Sequence, residues 1–232
     1  MNLFDVFPQL KQETTPAIQG RALRLIALSG IVYDDQAFYF ELGDERFWGR
    51  LPDGDVSIGV GAAKARPDAG NSPVGTVIRH LRQEWRCDVG LFSAGHSFIL
   101  GEDKEVAVLN EVESAMPYLF ILTPPKLGGV EMPDALVQAV YLMRLHRWTG
   151  KPRDVSLLGI DRQALGAFLE PEGWSLRELK AQPWAKLHPA TALPADARVR
   201  PVLALRGFRH LWQSESLSTH LRPQNLDGGK SS

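Results

Sequence analysis

The segment from Pro73 to Cys87 has the periodicity of a helix, although β-rich runs lie on both sides of it. Apolar residues recur there at spacings of three and four, as one face of a helix requires: Val74, Val77, Ile78, Leu81 and Trp85. Ser72 and Pro73 supply a start, because serine caps a first turn and proline suits the first helical position. A capped helix between strands restricts the chain to the α/β class.

Runs of β-forming residues precede and follow this helix. Turn residues such as Gly43-Asp44 and Pro52-Asp53-Gly54 separate the runs. The predicted strands are Leu23–Tyr33, Ala37–Leu42, Arg46–Leu51, Val56–Val60, Val89–Leu100 and Tyr118–Leu122.

A second amphipathic helix is predicted from Asp134 to Trp148. Its apolar residues are Leu136, Val137, Val140, Tyr141, Met143 and Leu145. The predicted architecture is therefore an α/β/α sandwich, with a mixed, curled sheet between the two helices.

The chain of 232 residues fits one core domain with an appendage. We expect an N-terminal arm over residues 1–20, the core domain over 21–150, a helical and irregular appendage over 151–213, and a flexible tail over 214–232. Short helices are predicted in the appendage at Arg162–Leu169 and Ser175–Lys180.

Composition limits the classes of partner. The 26 Lys+Arg and 27 Asp+Glu residues give a net charge of −1, which makes nucleic acid an unlikely partner. Cys87 is the single cysteine, so an internal disulfide and a multi-cysteine zinc site are excluded. No apolar run reaches the roughly 18–20 residues that span a bilayer, and the N-terminus lacks a leader pattern. We expect a cytoplasmic protein without a membrane partner.

The segment from Ile58 to Val89 resembles the Nudix box, a loop-helix-loop motif. Ala69-Gly70-Asn71-Ser72 lies where that family has a proline-glycine-glutamate-serine turn, and Arg79 to Glu84 lies on its Arg-Glu-aliphatic-x-Glu-Glu run. The resemblance covers about Leu23 to Trp148. It implies a Nudix-like domain and a substrate with a nucleoside diphosphate linked to another group.

This sequence departs from the box at most of the charged positions. Asn71 replaces the loop glutamate, and His80 and Gln83 replace the first two helix glutamates. Ala65 and Arg86 stand where the family has glycines. Because Mg²⁺ prefers a set of oxygen ligands rich in carboxylates, its affinity should fall steeply.

The resemblance nevertheless leaves one candidate metal site, formed by Glu84 with His80 and Gln83. An imidazole with a carboxylate suits Mn²⁺, Zn²⁺ or Ni²⁺ better than Mg²⁺, and the alternative is a solvated i,i+4 pair of His80 and Glu84. No cofactor is certain, and Mg²⁺ or Mn²⁺ is implied if the protein is catalytic.

Further site residues follow from the same resemblance. Glu84 and Glu111 are the candidate catalytic acids, and Arg79, Trp48 and Lys64 are the candidate ligand-binding residues. Arg79 is expected either to pair with Glu84 or to belong to an exposed basic helix face.

Three hypotheses remain. The first is a Nudix-like binding module with little or no hydrolase activity, whose partner is a nucleotide-like small molecule or a protein. The second is an active metal-dependent hydrolase of a nucleoside diphosphate-linked substrate. The third is a ligand-responsive regulator in which residues after Gly150 contact DNA or another subunit, and a homodimer is left open.

Overall fold

A computed structural model describes residues 1–13, 15–110, 115–124, 126–127, 130–131, 134–171 and 173–214. The strands are β1 (Leu23–Tyr33), β2 (Ala37–Leu42), β3 (Gly49–Arg50), β4 (Val56–Gly61), β5 (Ala63–Ala65), β6 (Cys87–Leu91), β7 (His96–Leu100), β8 (Val106–Asn110), β9 (Leu119–Thr123), β10 (Lys126–Leu127), β11 (Val130–Glu131), β12 (Ala135–Trp148), β13 (Ser156–Asp161), β14 (Trp174–Ser175), β15 (Ala185–His188) and β16 (Arg198–Pro201). The helices are α1 (Leu3–Val6), α2 (Pro73–His80), α3 (Leu165–Leu169), α4 (Leu176–Ala181) and α5 (Leu203–Gln213). The predicted mixed α/β class is confirmed.

The described residues divide into two compact units. The first contains residues 1–32 and 63–151, and the second contains residues 33–62 together with those from 152 onward. The segment after Gly150 therefore shares a unit with the hairpin region that begins at Tyr33. The proposed division into arm, core, appendage and tail stays a prediction, and residues 215–232 lie outside the described residues.

The first unit contains a mixed sheet. Strand β12 lies between β1 and β9, and β7 and β8 continue the order beyond β9. The β7 and β9 strands are parallel, whereas β12 is antiparallel to both β9 and β6, and β5 is antiparallel to β1. Val77 of helix α2 and Leu81, directly after it, are buried and lie against Gly30 of β1.

The predicted helix from Asp134 to Trp148 is wrong, because this segment forms β12. Its residues from Ala135 to Met143 are all buried, so the strand has no polar face to reveal its two-residue period. Gln138 is the polar residue within that run, and its Nε2 donates to Ser29 Oγ at 2.7 Å. The expected second helix of the sandwich is therefore a central strand of the sheet.

The second unit also contains a mixed sheet. Strand β2 lies between β13 and β4, both antiparallel to it, while β4 and β16 are parallel. Helices α3 and α5 contribute Phe168 and Phe208 to the core, 5.7 Å from Phe40 and 6.3 Å from Phe38 between ring centroids. The predicted short helices at Arg162–Leu169 and Ser175–Lys180 are confirmed within about one residue.

One predicted strand differs in detail. The strand predicted over Arg46–Leu51 is a 3₁₀ turn at Glu45–Phe47 followed by the short β3. Near the N-terminus, Phe7 packs edge-on against Phe120 at 5.2 Å between ring centroids.

In the described part of the chain, no helix combines the length and the apolar character that spanning a bilayer requires.

Candidate functional site

The start of α2 is built as the sequence predicts. Ser72 has an extended backbone, and its Oγ accepts a hydrogen bond from Gly75 N at 3.2 Å. Pro73 occupies the first helical position, where its missing N–H leaves no hydrogen bond unmade. Ser72 and Pro73 therefore fix the start of the helix. They directly follow the loop of residues 66–71, which is the candidate ligand-binding loop.

The end of α2 is irregular. After His80 the chain makes one π-helical turn over Leu81–Trp85, a distortion that often occurs at functional sites. The turn ends at Arg86, whose φ of 56° and ψ of 50° place it in the left-handed region. This conformation favours glycine, and position 86 is where the Nudix box has its closing glycine.

A hydrogen-bonded network closes the loop before α2. The Asp68 carboxylate accepts from Gly70 N at 3.0 Å and from Asn71 Nδ2 at 2.5 Å. Arg79 Nη1 donates to Asn71 Oδ1 at 3.2 Å, and its Nη2 lies 3.4 Å from Asp68 Oδ2. The Gly70 N–H is the main cause that lowers the pKa of the Asp68 carboxyl, followed by the Asn71 amide.

This network gives Arg79 partners other than the expected Glu84. The Arg79 side chain is 43% exposed, so its interaction is not the buried ion pair that the resemblance suggests. Asp68 was missed in the sequence reasoning. The available signal was the Asp-Ala-Gly-Asn run, because Asp and Asn side chains often bond to backbone N–H groups in turns.

His80 lies near Glu84 on the candidate metal face. Its Nε2 is buried and has no hydrogen-bond partner within the described residues. Burial lowers the pKa of the His80 imidazole, and the Glu84 carboxylate opposes that shift. At neutral pH the pair therefore presents a neutral ring and one carboxylate.

The third candidate ligand adds no charge. Gln83 is exposed, whereas Glu84 is half-buried. Among the residues that the structure describes, no group of three His, Cys, Asp or Glu side chains is arranged to hold a metal ion. Positions 80, 83 and 84 together thus supply one carboxylate.

An open cavity of about 400 Å³ adjoins the loop. The loop contributes Asp68, Ala69, Asn71 and the flanking prolines to its wall, while Leu25 and Leu28 of β1 form an apolar part. The N-terminal segment closes another side with Met1, Asp5 and Val6. A small molecule could contact both polar loop groups and an apolar strand surface here.

The other predicted site residues are placed as follows. Lys64 is exposed on β5, opposite Ser29 of β1. Trp48 is half-buried, and its indole Nε1 donates to Gly43 O at 2.8 Å. Neither residue lines the cavity beside the loop. Glu111 lies outside the described residues.

No family model matches the chain, and no curated protein matches it. The functional proposal therefore depends on the residues and contacts given above.

Proposed function

We propose that this chain is a Nudix-like binding module with little or no pyrophosphohydrolase activity. The resemblance of residues 58–89 to the Nudix box and the place of α2 between strands β5 and β6 support the fold. The left-handed backbone at Arg86 supports the alignment independently, because the family has a glycine at that position.

The observation that carries the proposed loss of activity is the charge on the end of α2. A hard divalent cation needs several oxygen ligands, and carboxylates both bind it and offset its charge. Here Glu84 interacts electrostatically with a half-buried His80 ring whose pKa is lowered, and Gln83 is the remaining group. One carboxylate cannot neutralise even one divalent ion.

The contacts of Arg79 also support a binding role for the protein. In a catalytic box this arginine would orient the helix carboxylates, but here it ties the loop to the helix through Asp68 and Asn71. These hydrogen bonds hold the loop against α2. A held loop beside a cavity of about 400 Å³ is suited to binding, since ligand pockets are commonly largely pre-formed.

The ligand class proposed is a nucleotide-like small molecule. Isothermal titration with ADP-ribose, a dinucleoside polyphosphate and a nucleoside triphosphate tests it, each measured in EDTA and again with Mg²⁺ or Mn²⁺. We expect saturable binding of at least one compound in EDTA, and no cleaved nucleotide product by chromatography with either metal.

A variant locates the binding at the cavity. Ala69→Phe should fill part of the cavity and weaken binding at least about tenfold, whereas Ala192→Phe, also at an exposed alanine, should not. Robust metal-dependent turnover that Glu84→Gln abolishes would instead establish the hydrolase hypothesis. Equal binding by the Ala69→Phe protein would remove this cavity from the proposal.

A further inference from the structure

A group of cations lies in the first unit, where the end of β12 pairs with β6. At its centre is the carboxylate of Asp88: Arg147 Nε lies 2.8 Å from Asp88 Oδ2, and Arg82 Nε lies 3.4 Å from Asp88 Oδ1. The side chains of Arg82 and Arg147 are 64% and 75% exposed. Glu84, on the turn before β6, interacts with His80. One carboxylate therefore holds two exposed guanidinium groups next to each other.

Two further cations adjoin this pair. Thr149 N donates to Arg86 O at 2.7 Å, and a Cβ added at Gly150 would lie 3.7 Å from Arg86 Cβ. Lys151 directly follows Gly150 and is exposed. We define the basic cluster as Arg82, Arg86, Arg147 and Lys151. The net charge of −1 is an average over the whole chain and does not describe this local excess of positive charge.

A β-bulge in β12 shapes the exposed side of the basic cluster. The register of β12 against β6 shifts between Leu145 and Arg147, so His146 is the extra residue. The His146 ring lies across Gly90, because a Cβ added at Gly90 would be 2.6 Å from His146 Nε2. Asp88, the partner of Arg147, is on the same side of β6 as Gly90. The bulge thus brings an imidazole and a guanidinium onto one face, and bulges often re-aim side chains next to functional sites.

Arg86 has a backbone conformation that is unfavourable for its residue type. Its φ of 56° and ψ of 50° lie in the left-handed region, which glycine adopts at less cost than any residue with a Cβ. Residues held in such conformations are concentrated at functional sites. A benefit from arginine at this position must come from its side chain, which adds a positive charge to the basic cluster.

We propose that the basic cluster binds the phosphate backbone of a nucleic acid. Three of its four cations are arginines, whose planar N–H forks match the oxygen atoms of a phosphate. Phosphates repeat along a nucleic acid strand, so neighbouring cations can each contact one. Because phosphate contacts carry no sequence information, binding should be independent of base sequence.

Two other classes of anionic partner fit this surface less well. Peripheral binding to a membrane combines charge with inserted apolar side chains, whereas the side chains that face outward here include those of Asp88, His146 and Arg147. An acidic peptide carries its charges on separate flexible side chains. Duplex DNA carries one negative charge per about 1.7 Å of its axis, so it supplies the denser array that adjacent guanidinium groups require.

Fluorescence anisotropy with labelled oligonucleotides tests this assignment. The probes are a thymidine single strand and a mixed-sequence duplex of about 12 nucleotides per strand, each titrated in EDTA over a series of salt concentrations. We expect saturable binding of at least one probe at about 50 mM salt. Contact with three or four phosphates predicts a slope of about −2 to −4 when the logarithm of the binding constant is plotted against that of the salt concentration.

Charge variants make the test specific. Arg82→Gln and Arg147→Gln should each weaken binding about three- to tenfold and reduce the steepness of the salt slope by about one. Asp88→Asn removes a carboxylate that competes with phosphate and should tighten binding about threefold. The matched controls Arg46→Gln and Arg177→Gln remove arginines that are 79% and 77% exposed, in ion pairs outside the basic cluster, and should bind as the unaltered protein does.

Arg86→Gly separates the effect on binding from an effect on folding. The substitution removes one cation, so binding should weaken about three- to tenfold. It also relieves the left-handed backbone, so the urea midpoint should rise rather than fall. A purely structural role for Arg86 would not weaken binding while the protein became more stable.

Three results would overturn the assignment. One is the absence of saturable binding by both oligonucleotides at about 50 mM salt. Another is equal or tighter binding to vesicles that contain phosphatidylserine, or to a polyglutamate peptide, since either would assign the surface to another class of partner. The third is an unchanged affinity and salt slope in both Arg82→Gln and Arg147→Gln.

Discussion

Replacing Gly30 by alanine should destabilise the contact between α2 and its sheet. A Cβ at this position would lie 2.9 Å from Val77 Cγ1, 3.1 Å from Met143 Cγ and 3.4 Å from Leu81 Cδ1. Carbon atoms normally pack at about 3.5–4.0 Å, so the helix or its side chains must move by more than half an ångström. Val77 cannot turn away easily, because β-branched side chains have one strongly preferred rotamer in a helix.

The expected cost follows from two opposing effects. Overpacking a closed core typically costs about 1–3 kcal/mol, and replacing a strand glycine by alanine returns roughly 0.5–1 kcal/mol. The net loss for Gly30→Ala should be about 1–2 kcal/mol. For a chain of this size that loss lowers the melting temperature by about 2–8 °C.

Urea unfolding followed by circular dichroism measures this loss, with Gly159→Ala as the matched control. Gly159 is also a buried strand glycine, but its added Cβ would meet Tyr39 at an ordinary 3.5 Å. The Val77→Ala substitution removes the obstructing methyl, so Gly30→Ala should cost less in that background, with a coupling of about 0.5–2 kcal/mol. Wild-type stability in Gly30→Ala, or strict additivity in the double variant, would refute the packing argument.

Three further predictions concern α2 and its ends. Ser72→Ala removes the cap and should lower the unfolding free energy by about 1 kcal/mol, while Ser72→Asp should retain it; equal stability of all three proteins in urea would contradict this. Arg86 has a left-handed backbone that costs a non-glycine residue free energy, so Arg86→Gly should raise the unfolding free energy by about 1 kcal/mol in the same assay. A lower unfolding free energy in Arg86→Gly would contradict the conformation described. Burial lowers the pKa of the His80 imidazole below its ordinary value of 6.5. As the pH falls, the imidazole is therefore protonated in the unfolded chain before it is protonated in the folded protein. The free energy of unfolding should thus fall as the pH is lowered from 7.5 through 6.5. Urea titrations at several pH values should show a smaller fall in His80→Gln, and an NMR titration that places the His80 pKa above 6.5 would contradict the direction.

The sequence predicts elements well where local chemistry is sufficient. The bounds of β1 and β2 are confirmed, because turn residues interrupt the β-forming runs at their ends. The start of α2 is confirmed because Ser72 and Pro73 act within the first turn. These features depend on neighbours in the chain, so they are visible without the fold.

The sequence is misleading where burial removes the pattern. Strand β12 is 14 residues long, and its buried half contains apolar residues on both faces. A long apolar run without alternation also fits the spacing of a helix, and most strands are shorter. The sequence did contain evidence for a strand here, because β-branched and aromatic residues favour strands and this segment contains Val137, Val140 and Tyr141.

The sequence predicts the residue types of the candidate site but not their contacts. The absence of carboxylates at positions 80 and 83 follows from the sequence alone. The contact of Arg79 with Asp68 joins residues 11 positions apart across a loop whose conformation the letters do not give. The cavity beside the loop is lined by residues from three separate segments, 1–6, 25–28 and 67–73, which no local pattern brings together.

The central claim is that one carboxylate on the end of α2 is too little to hold a divalent cation. Titration of Mn²⁺, followed by electron paramagnetic resonance, tests it in the unaltered protein, in Gln83→Glu and in His80→Glu/Gln83→Glu. We expect no saturable binding in the unaltered protein at submillimolar Mn²⁺, and binding that strengthens as each carboxylate is added. Tight stoichiometric binding in the unaltered protein, lost in Glu84→Gln, would contradict the claim.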